Sequence, residues 1–274
     1  MGLYKIRNPV VAGTFYPLSA LELKREIGSF LSKDLPVKAG AIGCVVPHAG
    51  YAYSGRVAAA TLSMINIPEK IILLGPNHTG LGYPYSIMSG GSWKTPLGEV
   101  EIDNNLAGLI LRESRYLKND SAAHAEEHSL EIELPILQYL KADFQIVPIA
   151  FLSDELNILQ EIGIGIANTI KKHGYNGKVL VLASSDMTHY EPDEDARVKD
   201  RKAIEAILSL DETKLMQQID NFNISMCGYA PVAVMLSCVK ELGASEGRLI
   251  AYQTSGDVTN DKTSVVGYAG IILN

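Results

Sequence analysis

Short apolar runs alternate with helix-like segments along almost the whole chain, and this alternation limits the fold more than any other feature. The runs are rich in Val and Ile and are bounded by Gly, Pro or Asp, which is typical of buried strands. They predict strands at 41–46, 70–74, 144–150, 178–183, 247–254 and 264–273, with helices at 20–31, 55–65, 104–113, 131–139, 154–172, 195–210, 212–220 and 231–242. Strands alternating with helices predict one α/β domain over residues 1–274, with a mixed, mainly parallel central sheet flanked by helices on both faces.

The segment 85–102 interrupts this alternation. Its turn residues, Gly90-Gly91 and Pro96-Leu97-Gly98, separate short apolar stretches, as in a hairpin. We therefore expect a hairpin around Trp93, inserted beside the ligand cleft.

The composition excludes several classes of protein. Of the 274 residues, 47% are hydrophobic, and the formal net charge of -7 gives no attraction for phosphate backbones or anionic lipid. No apolar run approaches the ~20 residues of a membrane span. The three cysteines are too few for a disulfide framework. We expect a cytoplasmic protein without nucleic-acid or membrane partners.

Histidines follow three of the predicted strands, at the point where each strand ends. His48 lies after 41–46, His78 after 70–74 and His189 after 178–183. Ligands of open α/β sheets collect at the carboxyl ends of the strands. If these strands are neighbours in a parallel sheet, the imidazoles converge at one edge, where they can bind a metal or transfer protons.

Cys227 directly precedes a predicted helix that Pro231 is well placed to start. The helix dipole is expected to lower the pKa of the Cys227 thiol, which would make it a soft metal ligand or a nucleophile. Cys44 lies in a predicted strand and Cys238 in an apolar helix, so both are expected in the core as small hydrophobes.

The stretch His124-Ala125-Glu126-Glu127-His128 fits the H-x-x-E-H pattern of inverted zinc proteases. That pattern needs the whole motif inside a helix, whereas Ser129 is a candidate N-cap for a helix that begins after His128. We therefore disfavour the protease, although His128 can still point into a cleft from the helix start. The glutamates are expected to be solvated, in a turn at Glu126 and Glu127 and in the first helical turn at Glu131 and Glu133.

Several segments that can carry chemistry occur together in one order. They are Pro47-His48-Ala49-Gly50-Tyr51 with Tyr53-Ser54-Gly55, Gly75-Pro76-Asn77-His78, Glu127-His128-Ser129-Leu130-Glu131, Ser184-Ser185-Asp186 with His189-Tyr190, and Cys227-Gly228. In this combination the chain resembles the Memo family from about Arg7 to its C-terminus. The resemblance implies a fold similar to the LigB-type class III extradiol dioxygenases, which open catechol-type rings with non-haem iron(II) held by two histidines and a carboxylate.

The resemblance also implies roles for particular residues. His48 and His78 would take the two histidine-ligand positions, and Cys227 the third. His189 would take the general-base position and His128 a second acid/base position, with Asp186 nearby.

The sequence departs from the ring-cleaving enzymes at the third ligand, where Cys227 stands in place of a carboxylate. A thiolate donates more strongly and can itself be oxidised beside a reactive iron centre. The resemblance to the ring-cleaving enzymes therefore does not imply dioxygenase activity for this chain, and the substrate is not expected to be a catechol. Two imidazoles and a thiolate are compatible with iron(II), our first expectation, and also with copper or zinc.

Three functions remain open from the sequence. The first is an iron-dependent, redox-active enzyme that takes a small molecule or peptide in the strand-end cleft. The second is a metal-free hydrolase in which Cys227 is the nucleophile and Asp186 orients His189. The third is a binding module, because likeness to animal Memo proteins implies a signalling-adaptor role. Likeness to prokaryotic members implies association with radical-SAM and AMMECR-type proteins.

Overall fold

The computed structural model describes residues 6–32 and 38–274. Its strands are β1 (Ile6–Arg7), β2 (Gly43–Val46), β3 (Lys70–Pro76), β4 (Tyr85–Ile87), β5 (Ser92–Thr95), β6 (Gly98–Glu101), β7 (Lys118–Asn119), β8 (Gln145–Phe151), β9 (Val179–Ser184), β10 (His189–Glu191), β11 (Gly247–Thr254) and β12 (Val265–Leu273). Its helices are α1 (Ala20–Phe30), α2 (Tyr51–Ser63), α3 (Asn104–Glu113), α4 (Ala122–Ala125), α5 (Glu133–Leu140), α6 (Leu156–Lys172), α7 (Asp193–Leu208), α8 (Glu212–Phe222), α9 (Tyr229–Glu241) and α10 (Gly256–Thr259). The predicted alternation of strands and helices is confirmed, with ends displaced by a few residues.

The central sheet runs in the order β10-β12-β2-β9-β3-β8-β4-β7, and β11 pairs with β12 outside this path. At its centre β2, β9, β3 and β8 are parallel. Antiparallel strands flank this centre, with β12 beside β2 and β4 beside β8. The predicted mixed sheet is therefore confirmed, and its parallel part consists of the four central strands.

Helices pack in two separate groups against this sheet. One group contains α1, α2 and α5, and the other contains α3, α6, α7, α8 and α9. The parallel strands are buried along almost their whole length, as expected where helices cover both faces. The fold class predicted from the sequence, a single α/β domain with a mixed sheet flanked by helices, is confirmed. Within the described ranges, no helix is long and apolar enough to cross a membrane.

The hairpin predicted around Trp93 is present as β5 and β6, but its predicted place beside the cleft is wrong. Strand β1 joins the hairpin into a separate three-stranded sheet. Trp93 is fully buried, and the guanidinium of Arg7 lies 4.3 Å from the centre of its ring. Arg7 in turn donates to the carbonyl oxygen of Glu127. The hairpin therefore packs behind the loop of Glu127 rather than lining the cavity described below.

Candidate metal centre

Three parallel strands bring the first site residues to one edge of the sheet. His48 follows β2 by two residues, His78 follows β3 by two, and Asp186 follows β9 by two. Because β9 pairs with both β2 and β3, the three residues leave the sheet side by side. The ring centroids of His48 and His78 are 5.3 Å apart.

Cys227 reaches the same edge from the loop before α9. Its neighbour Gly228 must lack a side chain, because a Cβ there would collide with the carbonyl oxygen of Ser184 and lie 2.5 Å from the Cβ of Ser185. This close approach places Cys227 Sγ 3.2 Å from Nε2 of His48. The other two cysteines, Cys44 and Cys238, are fully buried in the core, as expected.

His48, His78 and Cys227 offer three ligand atoms that lie within 4.8 Å of one another. They line a cavity of about 540 Å³ whose wall also includes His128, Asp186 and His189. The structure thus brings together all six residues singled out in the sequence. Two imidazoles and one thiol at these separations fit a transition-metal ion.

Burial controls the protonation of this group. Burial, together with the neighbouring His78 and His128, lowers the pKa of His48 well below its usual value, so its ring is neutral. Burial also lowers the pKa of His128. In contrast to the predicted effect of the helix dipole, burial and then the charge of Asp186 raise the pKa of the Cys227 thiol. A metal ion would have to replace that proton in order to bind the sulfur.

Asp186 does not orient His189, so this part of the predicted hydrolase arrangement is wrong. Oδ1 of Asp186 accepts hydrogen bonds from the backbone N–H groups of His48 at 2.8 Å and Ala49 at 3.2 Å. Nδ1 of His189 instead lies 2.9 Å from the carbonyl oxygen of Ser225. Asp186 therefore holds the loop of His48, and burial raises the pKa of its carboxyl group to about 6.

Glu127 was expected in a solvated turn, but it is fully buried behind His78. Its Oε1 accepts from Nδ1 of His78 at 2.9 Å and from the backbone N–H of Ser129 at 2.8 Å, while Oε2 accepts from the backbone N–H of His78. Burial alone would raise the pKa of Glu127, but these hydrogen bonds lower it to about 2. With the Nδ1 proton directed at this carboxylate, Nε2 of His78 is left for a metal.

The expected exposure of Glu131 and Glu133 is also wrong, since both are buried. Glu131 accepts from Arg7 at 2.5 Å and from the hydroxyl of Tyr16 at 2.6 Å. These bonds tie the segment 7–16 to the site, and this segment contributes Phe15 to the cavity wall. Acids at a helix start usually face solvent, so a local sequence pattern gives no signal for their burial.

The H-x-x-E-H stretch does not form a protease site. Its first histidine, His124, lies in the short helix α4 and is fully buried against Trp93, with ring centroids 5.8 Å apart. The helix ends before Glu126, so the motif is not helical throughout. Its last two residues do form a second group of close ligand atoms, because His78, Glu127 and His128 also lie within 4.8 Å of one another.

Fold and site together define an α/β protein with a His/His/Cys group at the carboxyl ends of its parallel strands. The family model described as "Memo-like protein" matches residues 7–272. The chain belongs to the Memo family. A MEMO1 family protein of Methanopyrus kandleri is 43% identical over 97% of this chain and 98% of that protein. One from Aquifex aeolicus is 42% identical over 98% and 99%, respectively.

A solved structure with a similar fold is that of an uncharacterized protein from Escherichia coli K12. It aligns with a TM-score of 0.58 and 12% sequence identity, covering 83% of this chain and 98% of that one. At this identity the similarity supports the α/β fold alone.

Proposed function

We propose that this protein holds one transition-metal ion with His48, His78 and Cys227. Iron(II) is the first choice, and copper or zinc is compatible with the same donors. The observation that supports the proposal is the approach of three ligand atoms within 4.8 Å of one another, beside a cavity of about 540 Å³. A bound ion would supply redox or Lewis-acid chemistry at this position.

In this proposal the remaining histidines of the cavity move protons. The carbonyl oxygen of Ser225 accepts from Nδ1 of His189, which leaves Nε2 as the basic atom. His128 is the second acid/base group, with its ring 4.9 Å from that of His78. The substrate is a small molecule or a peptide that enters beside Phe15 and Tyr190, two aromatic residues of the cavity wall.

The direct test of the metal is titration of iron(II), copper and zinc into the wild type and into His48→Ala, His78→Ala and Cys227→Ser. We expect one ion per chain in the wild type and weakened binding in each variant. Unchanged affinity in all three variants would end the proposal. Metal-stripped protein that keeps its affinity for a peptide would instead favour the adaptor function. The association with radical-SAM and AMMECR-type proteins stays a prediction.

We further propose that the substrate is not a catechol. The thiolate of Cys227 would itself be oxidised when O₂ reacts at the iron, so it is poorly suited to be a ligand in ring cleavage. The test is anaerobic reconstitution with iron(II), followed by O₂ with and without catechols. Ring-fission absorbance and the mass of the Cys227 peptide are followed together. We expect oxygen addition at Cys227 without ring fission, and catechol turnover with Cys227 unmodified would contradict this.

The thiol hydrolase has less support than the metal site. Its nucleophile would need a base oriented by an acid, but Asp186 bonds to the loop of His48 and His189 bonds to Ser225. The imidazole atom that contacts Cys227 Sγ is Nε2 of His48 at 3.2 Å, which is one of the proposed ligand atoms.

A further inference from the structure

A buried chain of polar groups adjoins His48 at Nδ1, the ring nitrogen that does not contact Cys227. Ser184, the last residue of β9, is fully buried, and its Oγ lies 2.8 Å from Nδ1 of His48. The same Oγ lies 2.8 Å from the carbonyl oxygen of Ser129 and 2.9 Å from Oε1 of Glu133. Glu133 is 1% exposed, and its Oε2 has no hydrogen-bond partner within the described part of the chain.

The hydrogen-bonding capacity of Ser184 fixes where the protons in this chain lie. A serine hydroxyl donates one hydrogen bond and accepts two. The carbonyl of Ser129 can only accept, so it takes the one hydrogen of Ser184. The two remaining places on Oγ need two donors, and these are Nδ1–H of His48 and a protonated Glu133.

An ionised Glu133 would break this pattern. It would compete with the Ser129 carbonyl for the single hydrogen of Ser184 and leave a buried charge with one unpaired oxygen, which is costly. Burial, to which the charge of Asp186 adds, raises the pKa of Glu133 well above its usual range, and only the hydrogen bond with Ser184 opposes this. A neutral carboxylic acid agrees with both observations.

We infer that Glu133 is a positioning residue, a neutral buried acid that donates to Ser184 and thereby fixes the proton of His48 on Nδ1. The lone pair of Nε2 then points toward Cys227 and the proposed metal position. The metal part of this inference rests on the proposed function, whereas the position of the His48 proton does not.

The two imidazoles would then have different partners behind them. His78 faces the ionised Glu127, which makes its ring a stronger donor. His48 faces a neutral hydroxyl and a neutral acid, so its ring is held in place without an added negative charge. With one neutral and one ionised partner, the site would carry less negative charge than it would with two carboxylate partners.

Four variants test this inference. Glu133→Gln keeps a neutral donor to Ser184, because its side-chain amide can replace the acid proton. Glu133→Leu removes the donor, and Ser184→Ala removes the link to His48. Ser237→Ala is the matched control, since Ser237 is a buried serine whose hydroxyl donates within its own helix, to the carbonyl oxygen of Ala233 at 3.0 Å.

The first measurement is the ring-nitrogen NMR spectrum of ¹⁵N-histidine-labelled, metal-free protein. We expect His48 to carry its proton on Nδ1 in the wild type, in Glu133→Gln and in Ser237→Ala. In Glu133→Leu and Ser184→Ala we expect a mixture of the two tautomers. A proton on Nε2 of His48 in the wild type, or a Gln variant that behaves like the Leu variant, would overturn the inference.

The second measurement is zinc affinity, with thermal melting to confirm folding. Loss of a hydrogen-bond partner behind a ligand lowers metal affinity by about 10–100-fold, which we expect for Glu133→Leu and Ser184→Ala. The Gln variant should restore affinity to within about threefold of the wild type on the same scale. If Glu133→Leu does not fold, the zinc affinity of Ser184→Ala, compared with that of Ser237→Ala, tests the inference in its place. A wild type that binds none of zinc, iron(II) and copper would end the proposed function but leave the NMR result, whereas equal losses of zinc affinity in the Gln and Leu variants would end the inference alone.

Discussion

His78 belongs to two groups of potential ligands, and the groups differ in what their atoms already contact. In the group with His48 and Cys227, the thiol lies 3.2 Å from a neutral ring nitrogen and also accepts from the backbone N–H of Asp186 at 3.3 Å, and a metal can replace the contact between sulfur and ring. In the group with Glu127 and His128, the carboxylate already accepts three hydrogen bonds, two of them from His78. Closeness of ligand atoms is therefore not enough for a metal site, because the lone pairs must also be free.

The comparison predicts the largest effect for loss of Cys227. We expect Cys227→Ser to lower zinc affinity by more than about 100-fold, because loss of a ligand should exceed the 10–100-fold cost of losing a partner behind one. Cys238→Ala, at a buried cysteine of α9, is the control and should bind zinc like the wild type. Equilibrium dialysis with metal analysis measures both, and equal affinity in the two variants would contradict the assignment.

A chemical probe of Cys227 should give the next largest effect. In metal-free protein, iodoacetamide at alkaline pH should modify the partly buried Cys227, slowly because its thiol pKa is raised, and leave the fully buried Cys44 and Cys238 untouched. Zinc should slow the modification by more than about tenfold, because a coordinated thiolate is no longer a free nucleophile. Peptide mass spectrometry follows the rate. An unchanged rate with zinc bound would indicate that the ion occupies the group with Glu127 and His128.

Glu127→Gln should have an intermediate effect. The amide cannot accept as the carboxylate does, so His78 loses its fixed orientation and zinc affinity should fall about tenfold. Urea unfolding of the metal-free variant should show a loss of about 1–3 kcal/mol, because buried donors lose their acceptor. A loss of affinity as large as that of Cys227→Ser would make Glu127 a direct ligand.

His128→Ala should have the smallest effect on the metal. We expect zinc affinity within about threefold of the wild type, because His128 is neither a ligand nor the partner of one in the first group. The matched control is His173→Ala, at an exposed histidine that ends α6. The two variants should give the same titration curve, and strong weakening in His128→Ala alone would place the ion in the second group.

The strand-end position of the site was predictable from sequence, but the groups behind the ligands were not. His48 and His78 follow apolar strands, and parallel strands end at one edge whatever lies elsewhere in the chain. The partner of His78 is 49 positions away at Glu127, and Ser184 is 51 positions from Glu133. A helix-start acid has the same local pattern whether it is solvated or buried.

The pKa of the Cys227 thiol was likewise not predictable from the local sequence. The helix that begins after Gly228 is visible in the sequence, and its dipole alone would lower the pKa of the thiol. The structure adds burial and the nearby Asp186, which together raise the pKa. The hairpin at Trp93 likewise has clear turn residues, but where it packs depends on its contacts with β1 and Arg7, which a local sequence pattern does not show.

X-ray absorption at the zinc edge of zinc-loaded protein tests the ligand assignment most directly. We expect one sulfur neighbour at about 2.3 Å, with nitrogen or oxygen at the remaining positions. The sulfur signal should disappear in Cys227→Ser and remain in His128→Ala. A wild-type spectrum with only nitrogen and oxygen neighbours, altered by His128→Ala or Glu127→Gln, would contradict the assignment of the ion to His48, His78 and Cys227.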